Sequence, residues 1–445
     1  MKLPLKYRYI VIVIAVLLPR IAWFVLLGGD LPKPARDQVF YISMAGRVAE
    51  GEGISFSREM GLVKSVMGRE MESFDNWTRD PKYIFGIVPV ETPTAAIEPG
   101  YPILLAALFM ITGPCTGAVF LLNSIFAILG AWAVWKLVSE NWGEKQAMLA
   151  TLIWSLYPYY IYYSAYAMTD MIHISLLPVI ALLTLRSASK PKMGFAAGIA
   201  TGILFLIRST ILFTVPLQLA WLFFKRRWRA ALLLLTGFVL CCIPWVIRNY
   251  AVLGSPVLLP TKGSLNLWMR NNPSMLTIEG INIPDFIENG INRRDLLDYL
   301  PMDGLETELE RSNIIMSRAR EFVFANPMLF TYLTVVRAGL FLSPIGGTME
   351  NAAAKLAGIL IYLPMLLIAI REAIRRRKDG RIIFLVCCFL LYLALHSIAH
   401  GGVRYRLPVD TILIVFTSLF IGRKLGWSEK KRIEEYTERG KDKKV

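Results

Sequence analysis

Long apolar runs separated by short basic clusters divide the chain, and this pattern restricts it to a helical membrane fold. The first run, from Tyr9 to Leu27, extends about 28 Å as a helix, close to the thickness of a bilayer core. Only 18% of the 445 residues are charged and 55% are hydrophobic, whereas a soluble domain is usually nearer 25% charged. We therefore predict an all-α polytopic membrane protein.

Basic clusters predict the orientation of the spans, since Lys and Arg concentrate on the cytoplasmic side. We place the N-terminus, the later clusters and the C-terminal tail in the cytoplasm. This gives about ten spans, near residues 9–28, 117–138, 147–165, 171–186, 194–208, 210–224, 229–247, 352–370, 382–398 and 408–422. Two further apolar pieces, 101–111 and 327–342, do not fit as spans, and we expect them to lie in or dip into the outer interface.

The same topology predicts four parts of the chain. These are an N-terminal transmembrane catalytic module (1–247) with an external loop (29–99), a second external loop (248–326), a C-terminal transmembrane module (327–424) and a cytoplasmic basic tail (425–445). The first loop should begin with an amphipathic helix at the membrane surface. Its apolar residues Tyr41, Met44, Ala45 and Val48 recur at helical spacing.

The formal net charge of +16 does not require a nucleic-acid partner, and we predict none. The excess Lys and Arg lies mainly in short loops and the tail, where membrane topology explains it. Four of the five cysteines form adjacent pairs inside apolar runs, so neither a disulfide framework nor a zinc site is indicated.

Charged residues at the predicted outer ends of spans are the candidates for chemistry, because ionisable groups near the membrane are costly. The arginines among these residues are predicted on the external side, where Lys and Arg are normally scarce. An external anionic ligand would explain them. Two carboxylates on separate segments suit a base and a partner that orients it or binds a metal. Helix caps and interfacial arginines are the structural alternatives. The candidates are Asp37, Glu98, Asp170, Arg208, Arg248, Arg404 and Arg406.

Several short motifs, in order, resemble the membrane glycosyltransferases of the GT-C fold. The branch they resemble contains the protein mannosyltransferases and the aminoarabinose lipid A transferases. The likeness extends from about residue 20 to 421. The motifs are Asp37-Gln-Val-Phe-Tyr41, Glu98-Pro-Gly-Tyr-Pro102, Thr169-Asp170, Gly198 and Gly202 before Arg208, Pro244-Trp-Val-Ile-Arg-Asn-Tyr250, Asn326-Pro327 and Arg404-Tyr-Arg-Leu-Pro408.

This resemblance implies a GT-C-like bundle that transfers a sugar from a polyprenyl-phosphate donor, with inversion, at the outer face of the plasma membrane. The acceptor would be a protein, lipid or glycan. Asp37 is then the expected catalytic base, and Asp170 is the second expected catalytic carboxylate. The expected substrate-binding residues are Glu98, Tyr101, Arg208, Arg248, Arg404, Tyr405 and Arg406.

The chain departs from the family pattern at two positions. Gln38 follows Asp37 where many relatives have Glu, and Glu98 stands where many have a basic residue. No organic cofactor is implied, and a divalent metal is left open. Two other functions are the alternatives. An envelope-polymer ligase or polymerase would place its large loop late in the chain, and a lipid-linked sugar transporter or flippase would show inverted repeats.

Overall fold

A computed structural model describes residues 5–32, 36–57, 61–67, 83–84, 87–276, 300, 307–345 and 352–427. Most of these residues are helical, and a short hairpin of β1 (Tyr83–Ile84) and β2 (Val88–Pro89) is the one sheet among them. The helices are α1 (Leu5–Leu26), α2 (Arg36–Ala49), α3 (Gly61–Met67), α4 (Gly100–Thr112), α5 (Thr116–Asn141), α6 (Glu144–Leu156), α7 (Pro158–Tyr163), α8 (Asp170–Ser187), α9 (Lys192–Ile207), α10 (Thr214–Phe224), α11 (Trp228–Leu253), α12 (Lys262–Trp268), α13 (Glu308–Ala325), α14 (Pro327–Leu342), α15 (Ala352–Arg375), α16 (Gly380–Ala399) and α17 (Val403–Lys424), with 3₁₀ turns at Ser209–Phe213 and Pro273–Leu276.

Each of the ten predicted spans is helical, which confirms the polytopic helical fold. The third span is divided into α6 and α7 before Pro158, and the 3₁₀ turn at Ser209–Phe213 precedes α10. In the described part of the chain, six helices are long and apolar enough to cross a membrane, namely α1, α5, α8, α11, α16 and α17. The pair α13 and α14 would make a seventh crossing, but it bends by 101°.

The amphipathic helix predicted in the first loop is α2, where Met44 and Ala45 are fully buried. Gly51 and Gly53 follow it with φ of 83° and 76°, a left-handed backbone that favours glycine. The predicted module boundary at residue 247 lies inside α11, which continues to Leu253. Almost all of the predicted basic tail lies outside the described residues.

Small residues bring α9 and α11 into backbone contact. A Cβ atom added to Gly198 would lie 2.0 Å from the Leu234 carbonyl oxygen, and one added to Gly194 would lie 2.3 Å from that of Ala230. Such close helix packing is common in membranes, where van der Waals contact replaces the hydrophobic effect between helices. This packing holds α9 against α11, and Arg208 is the residue directly after α9.

The two ends of the bundle collect different charged groups. At one end, Arg186 near the end of α8 pairs with Glu140, and Arg423 near the end of α17 pairs with Glu372. At the other end lie the first residues of the same two helices, including Asp170. The predicted cytoplasmic clusters and the predicted functional carboxylates are therefore at opposite ends of α8 and α17.

Candidate active site

A single guanidinium group, that of Arg404, joins the two carboxylates singled out in the sequence. Its Nε lies 3.0 Å from Asp170 Oδ2, and its Nη2 lies 2.9 Å from the same atom. Its Nη1 donates to Asp37 Oδ2 at 3.1 Å. Two carboxylates 133 positions apart in sequence thus contact opposite sides of one arginine.

A second arginine approaches Asp170 from the end of α9. Arg208 Nη1 donates to Thr169 Oγ1 at 3.0 Å and to Asp170 Oδ1 at 3.4 Å. The Arg208 guanidinium also lies 5.5 Å from the ring centre of Tyr405, a distance typical of cation–π contacts. Asp170 is only 2% exposed, so these two arginines compensate a buried negative charge.

The third cation of the site, Lys262, comes from the first turn of α12. Its Nζ lies 3.4 Å from Asp37 Oδ1 and 4.7 Å from the ring centre of Phe40. Asp37 is 35% exposed at its side chain, so it is the accessible carboxylate of the pair. We call Asp37, Asp170, Arg208, Lys262 and Arg404 the Asp37 cluster. It holds three cations and two carboxylates, an excess of positive charge that favours an anionic ligand.

Local contacts explain why these side chains meet. Asp37 and Asp170 lie in the first turns of α2 and α8. The Gln38 side chain links the first turn of α2 to the segment just before α8, because its Oε1 accepts a hydrogen bond from the Ala167 amide at 2.9 Å. Asp170 uses its oxygens for arginines, and no side-chain cap bond occurs at Thr169, the residue before α8.

Tyr41 forms part of the wall beside the cluster. Burial and the nearby carboxylates of Glu98 and Asp37 raise the pKa of Tyr41, so its hydroxyl stays protonated at neutral pH. Its ring packs edge-on against that of Tyr101, at 5.1 Å between centroids. Glu98, expected to bind substrate, accepts a hydrogen bond from the Ser209 amide at 2.7 Å, next to Arg208.

Two of the predicted arginines lie outside the cluster. The Arg248 guanidinium donates to the backbone carbonyls of Thr94 (2.8 Å) and Ile54 (3.1 Å), so it holds the end of the first loop. Arg406 is fully buried and pairs with Asp410 at 3.0 Å. Although Arg404 and Arg406 flank the same tyrosine, only Arg404 reaches Asp37 and Asp170.

Sequence reasoning missed Lys262 and the aromatic surroundings of Tyr405. The Tyr405 ring lies 5.0 Å from the rings of both His396 and His400. His396 and His400 lie four positions apart in the sequence, a spacing that can place two side chains on one helix face, and this was the visible signal. Lys262 gave no signal, because one lysine in a long polar loop resembles any solvated charge.

The described residues contain no group of three or more His, Cys, Asp and Glu side chains able to hold a metal ion. Within the Asp37 cluster, the two carboxylates are instead neutralised by Arg404, Arg208 and Lys262. The sequence left a divalent metal open, and the described residues provide no such ligand set for one.

The fold is that of the GT-C membrane proteins. The structure of the oligosaccharyltransferase AglB from Archaeoglobus fulgidus, in complex with an inhibitory peptide and a dolichol-phosphate, matches with a TM-score of 0.54 at 13% identity. That match covers 94% of this chain and 51% of AglB. The apo form of an Archaeoglobus fulgidus oligosaccharyltransferase matches with a TM-score of 0.56, also at 13% identity, covering 94% of this chain and 51% of that protein. The chain thus spans about half the length of these proteins.

A sequence-family match agrees with this fold. Residues 93–247 match the family described as dolichyl-phosphate-mannose-protein mannosyltransferase. This segment includes Glu98, Asp170 and Arg208, and it ends one residue before Arg248. No curated protein sequence matches the chain. The protein is therefore an integral membrane protein of GT-C fold with a mannosyltransferase-like segment, as its motifs predicted.

Proposed function

We propose that this protein is an inverting glycosyltransferase that moves a sugar from a polyprenyl-phosphate donor to a protein, lipid or glycan acceptor. One observation carries the proposal. The Arg404 guanidinium contacts an accessible carboxylate and a buried one, while Arg208 and Lys262 add further positive charge. The GT-C fold and the family match over residues 93–247 support a lipid-phosphate donor.

Asp37 is the proposed base because it is the more exposed carboxylate and lies at the surface of the cluster. It would accept the proton of the acceptor hydroxyl while that oxygen forms a bond to the anomeric carbon of the donor. The bond from this carbon to the phosphate oxygen breaks, and polyprenyl phosphate leaves with the additional negative charge. Attack opposite the leaving group inverts the anomeric configuration.

The arginines would stabilise the negative charge of the departing phosphate. Such electrostatic stabilisation is commonly the largest contribution to catalysis. Asp170 is too buried to meet the acceptor, and its oxygens accept from Arg404 and Arg208. We therefore assign Asp170 the role of positioning these two arginines, a narrower role than the catalytic one expected from the sequence.

The external face of the plasma membrane is the proposed location of the reaction. The distribution of charge along α8 and α17 supports this location. Both helices begin at the Asp37 cluster and end among basic residues such as Arg186 and Arg423. Because basic residues concentrate on the cytoplasmic side, the opposite end is external.

The test is sugar transfer by the purified protein in nanodiscs, supplied with radiolabelled polyprenyl-phosphate sugars and a membrane extract as the acceptor source. We expect a labelled product from the parent protein. Asp37→Asn should reduce the rate by about 10² to 10⁴, the usual contribution of a general base. The matched control is Glu50→Gln, an exposed carboxylate just beyond the other end of α2. Full activity of the Asp37→Asn variant, or no transfer by the parent from any such donor, would contradict the proposal.

A further inference from the structure

A buried carboxylate outside the Asp37 cluster connects three segments that are distant in sequence. Glu308, the first residue of α13, is only 5% exposed. Its Oε2 accepts from Thr94 Oγ1 at 2.8 Å, and its Oε1 accepts from the Ala95 amide at 3.2 Å. The hydroxyl of Thr261 also donates to Oε1. All of these groups are donors, so the site is built for a carboxylate with two acceptor oxygens.

The segments that Glu308 joins also pair with each other. The amides of Thr261 and Lys262 donate to the carbonyl oxygens of Ala95 (3.1 Å) and Ala96 (3.3 Å). Lys262 is the next residue after Thr261, and its ammonium group reaches Asp37. Thr261, which donates to Glu308, is therefore the direct neighbour of a cation of the Asp37 cluster.

We propose that Glu308 is a positioning residue that holds Lys262 against Asp37; this role rests on the proposed transferase function. Without the carboxylate, Thr261 and Thr94 lose their common acceptor, and the pairing between residues 94–96 and 261–262 loosens. Lys262 then spends less time near the donor phosphate. The expected consequence is weaker donor binding with little change in the chemical step.

The first experiment measures hydrogen exchange at the Thr261 and Lys262 amides in detergent-purified protein, and it needs no activity. Glu308→Gln keeps one acceptor oxygen and the size of the side chain. We expect exchange at these amides to rise roughly tenfold, since it reports local opening. The matched control is Glu310→Gln on the same helix. Glu310 forms a capping box with Thr307, and Gln preserves such a box. Equal protection in the Glu308→Gln variant and the parent would overturn the proposal.

The second experiment is a double-mutant cycle on transfer kinetics. Glu308→Gln and Lys262→Met should each raise KM for the donor about tenfold and change kcat less than about threefold, and the double variant should resemble Lys262→Met alone. Additive effects would show that Glu308 does not act through Lys262. A parent protein without transferase activity would refute the proposed function, whereas the exchange experiment would still decide whether Glu308 holds the pairing.

Discussion

Two ion-pair networks include arginines from the first turn of α17, and they differ in their exposure and in their balance of charge. Arg404 belongs to the Asp37 cluster, where its side chain is 20% exposed and that of Asp37 is 35% exposed. Arg406 and Asp410 are 0% exposed and form the centre of a second network, which we call the Asp410 network. The hydroxyl of Tyr157 donates to Asp410 at 2.9 Å, and Arg406 Nη1 donates to the carbonyls of Phe341 (2.9 Å) and Ser343 (2.6 Å).

The difference between the two networks shows that one sequence motif, Arg404-Tyr-Arg406, can contribute to both structure and chemistry. The Asp410 network balances one positive charge with one negative charge and binds neighbouring backbone carbonyls, so it fixes α17 against α14. The Asp37 cluster has an excess of positive charge, and its Arg404 and Asp37 side chains are partly exposed. The buried pair therefore orients the helix, and the first turn of that helix presents Arg404.

The largest expected effect falls on stability, in the Asp410 network. Asp410→Asn or Arg406→Met should lower the free energy of unfolding by about 3–5 kcal/mol, because each leaves an uncompensated buried charge. The double variant Arg406→Met with Asp410→Leu should recover much of this loss, since no buried charge remains. Thermal unfolding in detergent measures both changes.

The control for stability is Arg318→Met, which removes an exposed pair with Glu321. Such surface pairs contribute about 0–1 kcal/mol. If Asp410→Asn lowers Tm no more than Arg318→Met does, the Asp410 network does not stabilise the bundle as described.

The next effect falls on activity, in the Asp37 cluster. Arg404→Lys keeps the charge but loses the fork that joins Asp37 and Asp170, so kcat/KM should fall about 100-fold. Tm should change far less than it does with Asp410→Asn. Arg47→Lys, at the other end of α2, is the control and should transfer sugar at the parent rate. If the Arg404→Lys variant is unfolded, Arg404 has the same structural role as Arg406.

A smaller effect is expected at Arg208, which contacts Asp170 at the long distance of 3.4 Å. Arg208→Lys should raise KM for the donor about tenfold, because a lysine contacts phosphate through a single ammonium group. Steady-state kinetics over a range of donor concentrations separates KM from kcat. A fall in kcat at constant KM would instead assign Arg208 to stabilisation of the transition state alone.

The smallest effect is expected at Tyr405, where the ring makes the contacts with Arg208 and two histidines. Tyr405→Phe should keep the transfer rate within about threefold. Tyr405→Leu should raise the activation free energy of transfer by about 1 kcal/mol, because the cation–π contact is lost. Rates of both variants under the same donor concentration test this difference. If Tyr405→Phe impairs transfer as much as Tyr405→Leu does, the hydroxyl takes part.

Local patterns predicted much of the fold and part of the site. Apolar runs of bilayer length predicted the spans, and helical spacing predicted α2, because these signals arise within a few turns of chain. Asp37, Asp170, Arg208 and Arg404 were singled out because charged groups at span ends are costly wherever they lie. The sequence could not reveal Glu308, since its partners lie 47 or more positions away.

The sequence by itself determined the helices, their apolar faces and the set of charged residues available at one end of the bundle. Only the tertiary structure decided how these charges are paired. Arg404 and Arg406 are the same residue type on either side of Tyr405, but successive positions on a helix point about 100° apart, so two residues separated by one position face different neighbours. Arg404 reaches two carboxylates beside an open surface, whereas Arg406 meets Asp410 in the interior.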